Sequence, residues 1–518
     1  MRKYITALNL VFAVEIAMVI LTSLGFIPRE AVLFSTGLLI FYMIFSPVED
    51  SLWLVVASIP LFVALPITEN FDSMANWRIL IAVLFLCLFF KKGISVSLIK
   101  DEKGRWRIQE NIKHYLVEYL TWFFLLIAAF SILAADYKIS AIKELLFLIN
   151  IFLMFFVIRN LVKDKQTIIK IWQAAAVGAI VVIFVSLIQF VAVLFIQLFV
   201  FWQFWAEKVI SVFYGQNLAY LLSYSNTWFA YYAVNPPTFR LFSVFPDSHS
   251  FAMFSILAIP IFLGLALFFE RSRRKRIFYW LMAGLALWGI VFSGSRGAWL
   301  SIVPAAAITL CLFAKQIDRP LVKKALVSFF IFIFLFLASS FYPPLLYKFQ
   351  SWQGSNASTT FSFFERARSI SDADELSNKG RLEIWRTSLK SIITHPILGV
   401  GLGNYVTVLD ENISAAKKGA SAHNLYLDFA SEIGIVGVLV LIAIFVEIFY
   451  CSWLVFRRCQ ESYFKFFGLL FSLCFLWVAG YSFFDVVLLN DKVLLFFMVE
   501  LALLYGVRTL MEKKPALG

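Results

Sequence analysis

Long apolar runs, separated by short polar connections, follow one another along most of this chain of 518 residues. Many of them reach the ~20 residues that an α-helix needs to cross a bilayer. The sequence does not show the strict alternation of polar and apolar positions that is typical of transmembrane β-strands. The pattern therefore predicts an all-α, polytopic integral membrane protein of about 12–14 transmembrane helices.

Each predicted span ends where polar, glycine or proline residues interrupt an apolar run. The predicted spans are Ile5–Phe26, Ala31–Phe45, Leu52–Ile67, Trp77–Phe90, Tyr115–Ala134, Leu145–Leu161, Ile168–Val200, Phe251–Phe269, Ile277–Phe292, Ala298–Ala314, Ala325–Phe341, Leu425–Phe445, Phe464–Phe484 and Val493–Val507.

Two long polar segments divide these spans into groups. The segment from Phe201 to Ser250 is rich in Trp, Tyr and Asn, which is typical of an aromatic belt at the membrane surface. The other runs from Tyr342 to Asn424. The predicted regions are N-terminal transmembrane helices (1–200), an outer aromatic interfacial segment (201–250), central transmembrane helices (251–341), an extracytoplasmic loop with an amphipathic helix (342–424), and C-terminal transmembrane helices with a cytoplasmic tail (425–518).

Composition and charge agree with this organisation. Hydrophobic residues make up 61% of the chain, whereas soluble domains contain about 45–50%. The net charge is +13, and most Lys and Arg lie in alternate connections between the spans. Because the positive-inside rule describes this distribution, the charge does not indicate nucleic-acid binding. Both termini are expected in the cytoplasm, and the two long polar segments are expected outside.

One candidate for chemistry is Arg296, which follows Ser295 at the outer end of a span. Ser295 is a candidate helix N-cap, so Arg296 would lie in the first turn, where a cation opposes the helix dipole. That placement favours an anion shared by the guanidinium and the free backbone N–H groups. An arginine that reaches toward lipid headgroups is the alternative, and the local sequence leaves both open.

A second arginine, Arg381, begins a short amphipathic helix on the outer segment. The range Arg381–Ile393 has Leu382, Trp385, Leu389 and Ile392 at helical spacing. The alternative for Arg381 is a solvated residue at a helix start. After this helix, Pro396 and alternating glycines at 399, 401 and 403 predict a turn. Since no strand precedes them, they are not a dinucleotide-binding fingerprint.

A histidine, His423, opens the next span, with Ser421 or Asn424 as its candidate cap. A helix N-terminus disfavours the cationic imidazole, and a neutral imidazole is what a general base requires. An interfacial histidine satisfied by its neighbours is the alternative. The four histidines have neither i, i+4 nor H-x-E spacing, so we expect no metal and no cofactor.

A further basic residue, Arg240, lies on the aromatic segment near Asp247 and His249. It is a candidate contributor to the same anion site. A purely structural role for Arg240 is equally open.

The order of these motifs resembles the O-antigen ligase/polymerase superfamily, a group of bacterial integral-membrane glycosyltransferases of the C type. The resemblance covers roughly residues 240–437, and the earlier spans are similar only in hydrophobicity. The segments that carry it are Ser295–Leu300, Gly380–Arg381 with Trp385, Gly399–Asn404, Ala422–Asn424 and Glu432–Gly437.

The resemblance implies an inverting, metal-independent enzyme at the outer face of the bacterial cytoplasmic membrane. Its donor would be a glycan on undecaprenyl diphosphate, and its acceptor would be lipid A core, another carrier-linked glycan or a protein. His423 matches the family's essential histidine and would be the catalytic base. The diphosphate would be bound by Arg296, Arg381 and, as a looser match, Arg240, with Ser295, Asn424 and Glu432 in support.

Two other classes of membrane protein remain alternatives. A flippase or transporter for the lipid-linked glycan suits the same number of spans, but it should carry polar residues at the bilayer midplane in repeated halves. Here the candidate residues lie at one face. A scaffold protein would not need His423 beside two outer arginines. Ligase and polymerase activities stay open, because acceptor choice depends on the shape of the cavity.

Overall fold

The computed structural model describes most of the chain. The described residues are 6–68, 72–94, 112–224, 228–230, 238–269, 272–313, 327, 330–331, 333–339, 341–342, 345–346, 348–349, 376–409 and 421–513.

Helices dominate the described residues, which confirms the all-α class. They are α1 Ala7–Ser23, α2 Ala31–Phe45, α3 Val48–Ala57, α4 Trp77–Lys92, α5 Leu116–Ser131, α6 Lys138–Leu161, α7 Lys165–Phe195, α8 Leu198–Phe204, α9 Ser211–Tyr214, α10 Gln216–Tyr224, α11 Ser248–Gly264, α12 Arg273–Phe292, α13 Arg296–Phe313, α14 Leu376–Thr394, α15 Leu425–Arg458, α16 Ser462–Tyr481 and α17 Asp491–Lys513. Two short antiparallel pairs join β1 Ala64–Leu65 to β2 Met74–Ala75, and β3 Phe229–Ala230 to β4 Thr238–Phe239.

Among these residues, nine helices are long and apolar enough to cross a membrane: α5, α6, α7, α11, α12, α13, α15, α16 and α17. The apolar helices α1 and α2 are shorter. Helices α11 and α17 form the centre of the bundle, since 83% of the apolar window in each is buried. They pack on each other and on α7, while α11 also packs on α12 and α16, and α17 on α6 and α15.

The predicted span Leu52–Ile67 is wrong as a continuous helix. Helix α3 ends at Ala57, a 3₁₀ turn follows at Ile59–Leu61, and the chain then enters β1. Pro60 lies within the 3₁₀ turn, and proline can neither donate a backbone hydrogen bond nor sit comfortably inside an α-helix. The predicted span Ala325–Phe341 lies partly outside the described residues.

The aromatic segment is more buried than its composition indicates. Trp228 is buried, stacks on Phe242 with ring centroids 4.2 Å apart, and donates from Nε1 to the carbonyl of Pro246 at 2.9 Å. Trp205 is buried as well. These two tryptophans therefore pack inside the protein, and the interfacial position of the segment stays a prediction.

The two ends of the bundle differ in character. One end, called here the basic end, carries the C-termini of α6, α15 and α17, where Arg508 pairs with Glu447 at 3.0 Å and Arg159 pairs with Glu118 at 2.5 Å. The opposite end, called the loop end, carries the N-termini of α11, α13, α15 and α17. The backbone N–H of Leu425 donates there to the carbonyl of Ser482 at 2.8 Å.

Candidate active site

Side chains from separate segments meet at the loop end around His249 and Asp485. His249 lies in the first turn of α11, and Asp485 lies between α16 and α17. Asp247 caps α11 by accepting a hydrogen bond from the backbone N–H of Ser250 at 2.7 Å. This cap is the type of N-terminal contact that asparagine, aspartate, serine and threonine make, and it fixes the direction in which His249 enters the bundle.

The ring of His249 is held from both sides. Its Nε2 lies 3.0 Å from a terminal nitrogen of Arg240. Its Nδ1 lies 3.0 Å from the Ser295 hydroxyl, 2.9 Å from the Tyr481 hydroxyl and 3.6 Å from Asp485 Oδ2. Because a guanidinium only donates, Nε2 accepts from Arg240, and the remaining ring proton is on Nδ1. His249 therefore links the Arg240 guanidinium to the Asp485 carboxylate.

Arg240 is fixed by the backbone around it. Its side chain is buried, its Nε donates to the carbonyl of Ser293 at 2.9 Å, and its backbone N–H donates to the carbonyl of Trp228 at 2.8 Å. The sequence left its role open. In the structure, Arg240 belongs to the cluster, because its guanidinium contacts His249.

Ser295 and Arg296 lie at the turn between α12 and α13. The Ser295 hydroxyl bonds to the Tyr481 hydroxyl at 2.5 Å and lies 3.5 Å from the backbone N–H of Ala298. Its strongest contacts are thus within the cluster, and the contact typical of an N-cap is long. Arg296 is the first residue of α13 and is half-buried. In the chain it directly follows Ser295, which belongs to the cluster.

His423 lies just before α15 in an uncommon backbone conformation, with φ of +48°. Residues other than glycine adopt positive φ infrequently, and when they do the strain is often found at functional sites. Asn424 caps α15, since its Oδ1 accepts from the N–H groups of Tyr426 and Leu427 at 3.0 and 3.1 Å. The cap predicted at Ser421 or Asn424 is therefore Asn424.

The imidazole of His423 faces Asp485. Its Nδ1 lies 3.9 Å from Asp485 Oδ1 and has no hydrogen-bond partner among the described residues, while 39% of the side chain is exposed. Burial alone would raise the pKa of Asp485, but His249, His423 and Arg381 together hold that pKa well below its usual range. Asp485 is therefore an ionised carboxylate between the two histidines.

Arg381 reaches the same cluster from α14. Its charge acts on both Asp485 and His249. One turn along the helix, Trp385 donates from Nε1 to the carbonyl of Ala422 at 3.0 Å. That bond ties α14 to the residue that precedes His423.

The predicted helix over Arg381–Ile393 is confirmed and lies within the longer α14. Its buried face differs from the predicted one, because Ile384 and Ser388 are buried whereas Leu382 and Leu389 are exposed. Ser388 bonds to the Tyr405 hydroxyl at 2.6 Å, so the loop that follows the helix selects which face is covered.

A glycine-rich loop, residues 399–403, packs on α15 and supports the backbone around His423. Helix α15 breaks at Gly434, with φ of +77°, and the N–H of Ile435 donates to the carbonyl of Pro396 at 2.9 Å. The carbonyls released by the break, on Ser431 and Glu432, accept at 2.9 Å from the N–H groups of residues 400 and 401. The turn predicted at the glycines is confirmed, and its amides are used in packing the loop onto α15.

Glu432 also stabilises the glycine-rich loop. Its side chain is buried, and its Oε1 accepts from the backbone N–H of Tyr405 at 3.0 Å. Tyr405 packs with Ile384 and Ala422 in a small buried cluster. Glu432 and Asn424 thus hold the backbone around His423, whereas Arg240, Arg381, Ser295 and His423 converge on the cluster itself.

Asp485, Tyr481 and His249 were not among the predicted site residues. The available signal for Asp485 is that an acidic residue directly follows the predicted span Phe464–Phe484, on the expected outer side. The signal for His249 is its neighbour Arg240 in the sequence. Neither signal indicates a partner, because the contacts join segments that are far apart in the chain.

Comparison with known proteins matches a segment that contains part of the cluster. Residues 281–442 match the family described as O-antigen ligase. This range includes Ser295, Arg296, Arg381 and His423, and it excludes Arg240, His249, Tyr481 and Asp485. The resemblance noted in the sequence is thereby confirmed over residues 281–442, which are similar to the O-antigen ligase family.

Two curated proteins are each similar to part of this chain. An uncharacterised protein of Haemophilus influenzae is 25% identical over 205 residues, which cover 38% of this chain and 48% of that protein. A ComP-specific O-oligosaccharyltransferase of Acinetobacter baylyi is 27% identical over 179 residues, which cover 34% of this chain and 29% of that protein. The match thus spans about half of one relative and less than a third of the other.

Proposed function

We propose that this protein is a glycosyltransferase of the O-antigen ligase type. It transfers a glycan from undecaprenyl diphosphate to an acceptor hydroxyl at the outer face of the bacterial cytoplasmic membrane. The observation that carries the proposal is the convergence of Arg240, Arg381, His249, His423 and Asp485 at the loop end of the bundle. The O-antigen ligase match over residues 281–442 supports it.

The arginines would bind the diphosphate. As the bond between sugar and phosphate breaks, negative charge grows on the leaving diphosphate. Arginine suits this task because it stays charged and offers a planar pair of donors to phosphate oxygens. Arg240 is already held by Ser293 and His249, and fixed donors of this kind stabilise developing charge without reorganisation. Arg296 and Arg381 complete the proposed anion site, which takes the place of a metal.

His423 would remove the proton from the attacking hydroxyl. Ionised Asp485 favours the tautomer with the proton on His423 Nδ1, which leaves Nε2 to accept a proton. The 3.9 Å separation between His423 Nδ1 and Asp485 Oδ1 is longer than a hydrogen bond. Such contacts commonly shorten when substrate binds. Attack on the face opposite the diphosphate would invert the anomeric centre.

The distribution of charge supports the proposed side of the membrane. Basic residues gather at the helix ends opposite the site, including Lys91, Arg159, Arg273 and Arg457 at the ends of α4, α6, α12 and α15. By the positive-inside rule that end faces the cytoplasm. The cluster around His423 then faces outward.

A protein acceptor is a second candidate for the same chemistry. The relative from Acinetobacter baylyi is an O-oligosaccharyltransferase by name, which favours testing a protein hydroxyl beside lipid A core and carrier-linked glycan. All three acceptors would present a hydroxyl to His423, so the proposed catalytic step is common to them.

A transfer assay tests the proposal. Purified protein in lipid nanodiscs is mixed with an undecaprenyl-diphosphate-linked oligosaccharide and, separately, with each of the three acceptors. We expect product with one acceptor, unchanged activity with EDTA, and loss of turnover in His423→Ala. His395→Ala is the matched control, because His395 is exposed and its ring contacts the adjacent Thr394 rather than the cluster.

Two outcomes would overturn the assignment. One is near-wild-type turnover in His423→Ala, and the other is inhibition by EDTA. Movement of the labelled carrier across the bilayer without any transfer would instead identify a flippase.

A further inference from the structure

An open cleft at the loop end borders the glycine-rich loop that supports His423, and no step above uses it. It has a volume of about 670 Å³ and is lined by Asp136, Tyr137, Lys138, Ile139, Ser140, Gly403 and Val406. The lining comes from the turn between α5 and α6 and from the glycine-rich loop. Its size is sufficient for at least one sugar residue.

The two walls of the cleft are joined by hydrogen bonds. Asn404 is buried, its Oδ1 accepts from the backbone N–H of Tyr137 at 2.7 Å, and the Ser140 hydroxyl donates to the carbonyl of Gly403 at 3.1 Å. Below them, the N–H of Leu402 donates to the Ser131 hydroxyl at 3.1 Å. The cleft is therefore built on a fixed backbone rather than on two independent loops.

One wall of the cleft also supports the proposed catalytic residue. Two residues after Gly403, Tyr405 packs against Ala422, the neighbour of His423. The N–H of Tyr405 is held by Glu432 at 3.0 Å. A ligand in the cleft would therefore lie on the same rigid loop that positions His423.

The lining chemistry fits a carbohydrate. Tyr137 is 55% exposed, and an exposed aromatic ring offers an apolar face for the C–H face of a pyranose. Asp136 supplies a carboxylate that accepts hydrogen bonds from hydroxyl groups, and Lys138 supplies donors. Polar groups on a fixed backbone beside one aromatic ring are what a small polar ligand needs for orientation.

We propose that this cleft is a glycan-binding subsite that takes one sugar of the donor or acceptor chain while the reacting ends meet at His423. The inference rests on the proposed function. The donor glycan and the acceptor glycan share the same chemistry, so the experiment must separate the two sources.

Side-chain variants can test the subsite without moving its backbone, because Asn404 holds Tyr137 only through the main chain. Tyr137→Ala and Asp136→Asn are compared with Tyr119→Ala, which removes a similarly exposed tyrosine (49%) from α5. Thermal unfolding verifies that each variant is folded. Saturation-transfer NMR in nanodiscs then measures binding of two probes, the oligosaccharide released by mild acid from the donor lipid and the core oligosaccharide released from lipid A.

Both cleft variants should weaken binding of one probe about tenfold or more, as expected for loss of a hydrogen bond to a charged group or of a ring contact. In the transfer assay, KM for the same partner should rise with kcat nearly unchanged. A rise in KM for the donor would show that the cleft binds the donor glycan. A rise in KM for the acceptor would show that it binds the acceptor glycan.

The binding measurement does not need turnover. If the probes bind through the cleft but no transfer occurs, the proposed function fails and the subsite stands. If transfer occurs and neither cleft variant changes binding or KM, the subsite is wrong. The glycan subsite would also be wrong if the cleft variants changed only the binding of anionic lipid vesicles and not that of either oligosaccharide probe. That result would identify the cleft as a lipid headgroup contact.

Discussion

His423 Nδ1 lies 3.9 Å from Oδ1 of Asp485, although the whole of α15 and α16 separates the two residues in the chain. Asp485 also faces His249, with 3.6 Å between His249 Nδ1 and Asp485 Oδ2. One buried carboxylate therefore lies between two imidazoles, that of His249, which contacts Arg240, and that of His423, which is half-exposed. This relationship makes Asp485 a positioning residue for His423 in the proposed reaction.

Replacing Asp485 by Asn should reduce turnover while donor binding is kept. Asparagine retains the shape of the side chain but loses the charge that favours a proton on His423 Nδ1. We expect kcat to fall about 10²-fold or more, within the range for general acid–base catalysis. A purely structural role would instead lower the melting temperature and leave kcat of the folded fraction unchanged.

The Asp485 carboxylate should also contribute a defined pH dependence to stability. Its pKa is lower in the folded protein than its ordinary value of about 3.9. A depressed pKa gives stability that is present above the unfolded-state value and is lost as pH falls through the folded-state value. The difference in unfolding free energy between wild type and Asp485→Asn should shrink as pH falls below about 4. A difference that grows as pH falls below about 4 would contradict the ionised state.

Substitution of Arg381 tests the anion site, and α14 offers a matched control. Arg381→Ala removes a charge that acts on Asp485 and His249, whereas Arg386→Ala removes an exposed arginine from the same helix. Loss of one donor to a developing anion commonly costs about 10²–10³ in rate. We expect that loss for Arg381→Ala, a partial recovery in Arg381→Lys, and nearly full activity for Arg386→Ala. Equal effects of the two alanine variants would show that the helix matters only as a whole.

Cysteine labelling tests which end of the bundle faces outward. A Cys replacing exposed Lys390 on α14 should react with a membrane-impermeant maleimide in intact spheroplasts. A Cys replacing exposed Arg457 at the end of α15 should react only after permeabilisation. The parent protein, which keeps its five native cysteines, provides the background. The reverse pattern would place the His423 cluster in the cytoplasm and exclude the proposed outer-face reaction.

The hydrophobic pattern predicted most of the helices because burial in a membrane bundle leaves long apolar runs. It failed at Leu52–Ile67, where Pro60 ends the helix although the run stays apolar. The motif order predicted His423 and Arg381. It could not predict Asp485, because an acidic residue after a span has no local signal for a histidine at the start of a different helix.

The break in α15 could not be predicted from the sequence either. A glycine inside a helical run costs only about 1 kcal/mol, so a continuous helix through Gly434 was the simpler expectation. What stabilises the break is the carbonyl of Pro396, which accepts from the N–H of Ile435 at 2.9 Å. That partner comes from the loop after α14, and a contact of this kind is not visible in the pattern of a single segment.

Gly434→Ala should therefore destabilise the protein far more than an ordinary glycine substitution. The φ of +77° is unfavourable for alanine, and a Cβ at this position would collide with the carbonyl of Ile397. Backbone cannot yield as a flexible side chain can, so the loop that carries Tyr405 and supports His423 should shift. Gly284→Ala is the control, because Gly284 lies within helix α12 and an added methyl group would meet no described neighbour within 4 Å. We expect Gly284→Ala to be neutral or to stabilise by about 0.5–1 kcal/mol. Thermal unfolding in nanodiscs should show a lower melting temperature for Gly434→Ala together with loss of transfer, and an unchanged melting temperature would mean that α15 can close into a continuous helix.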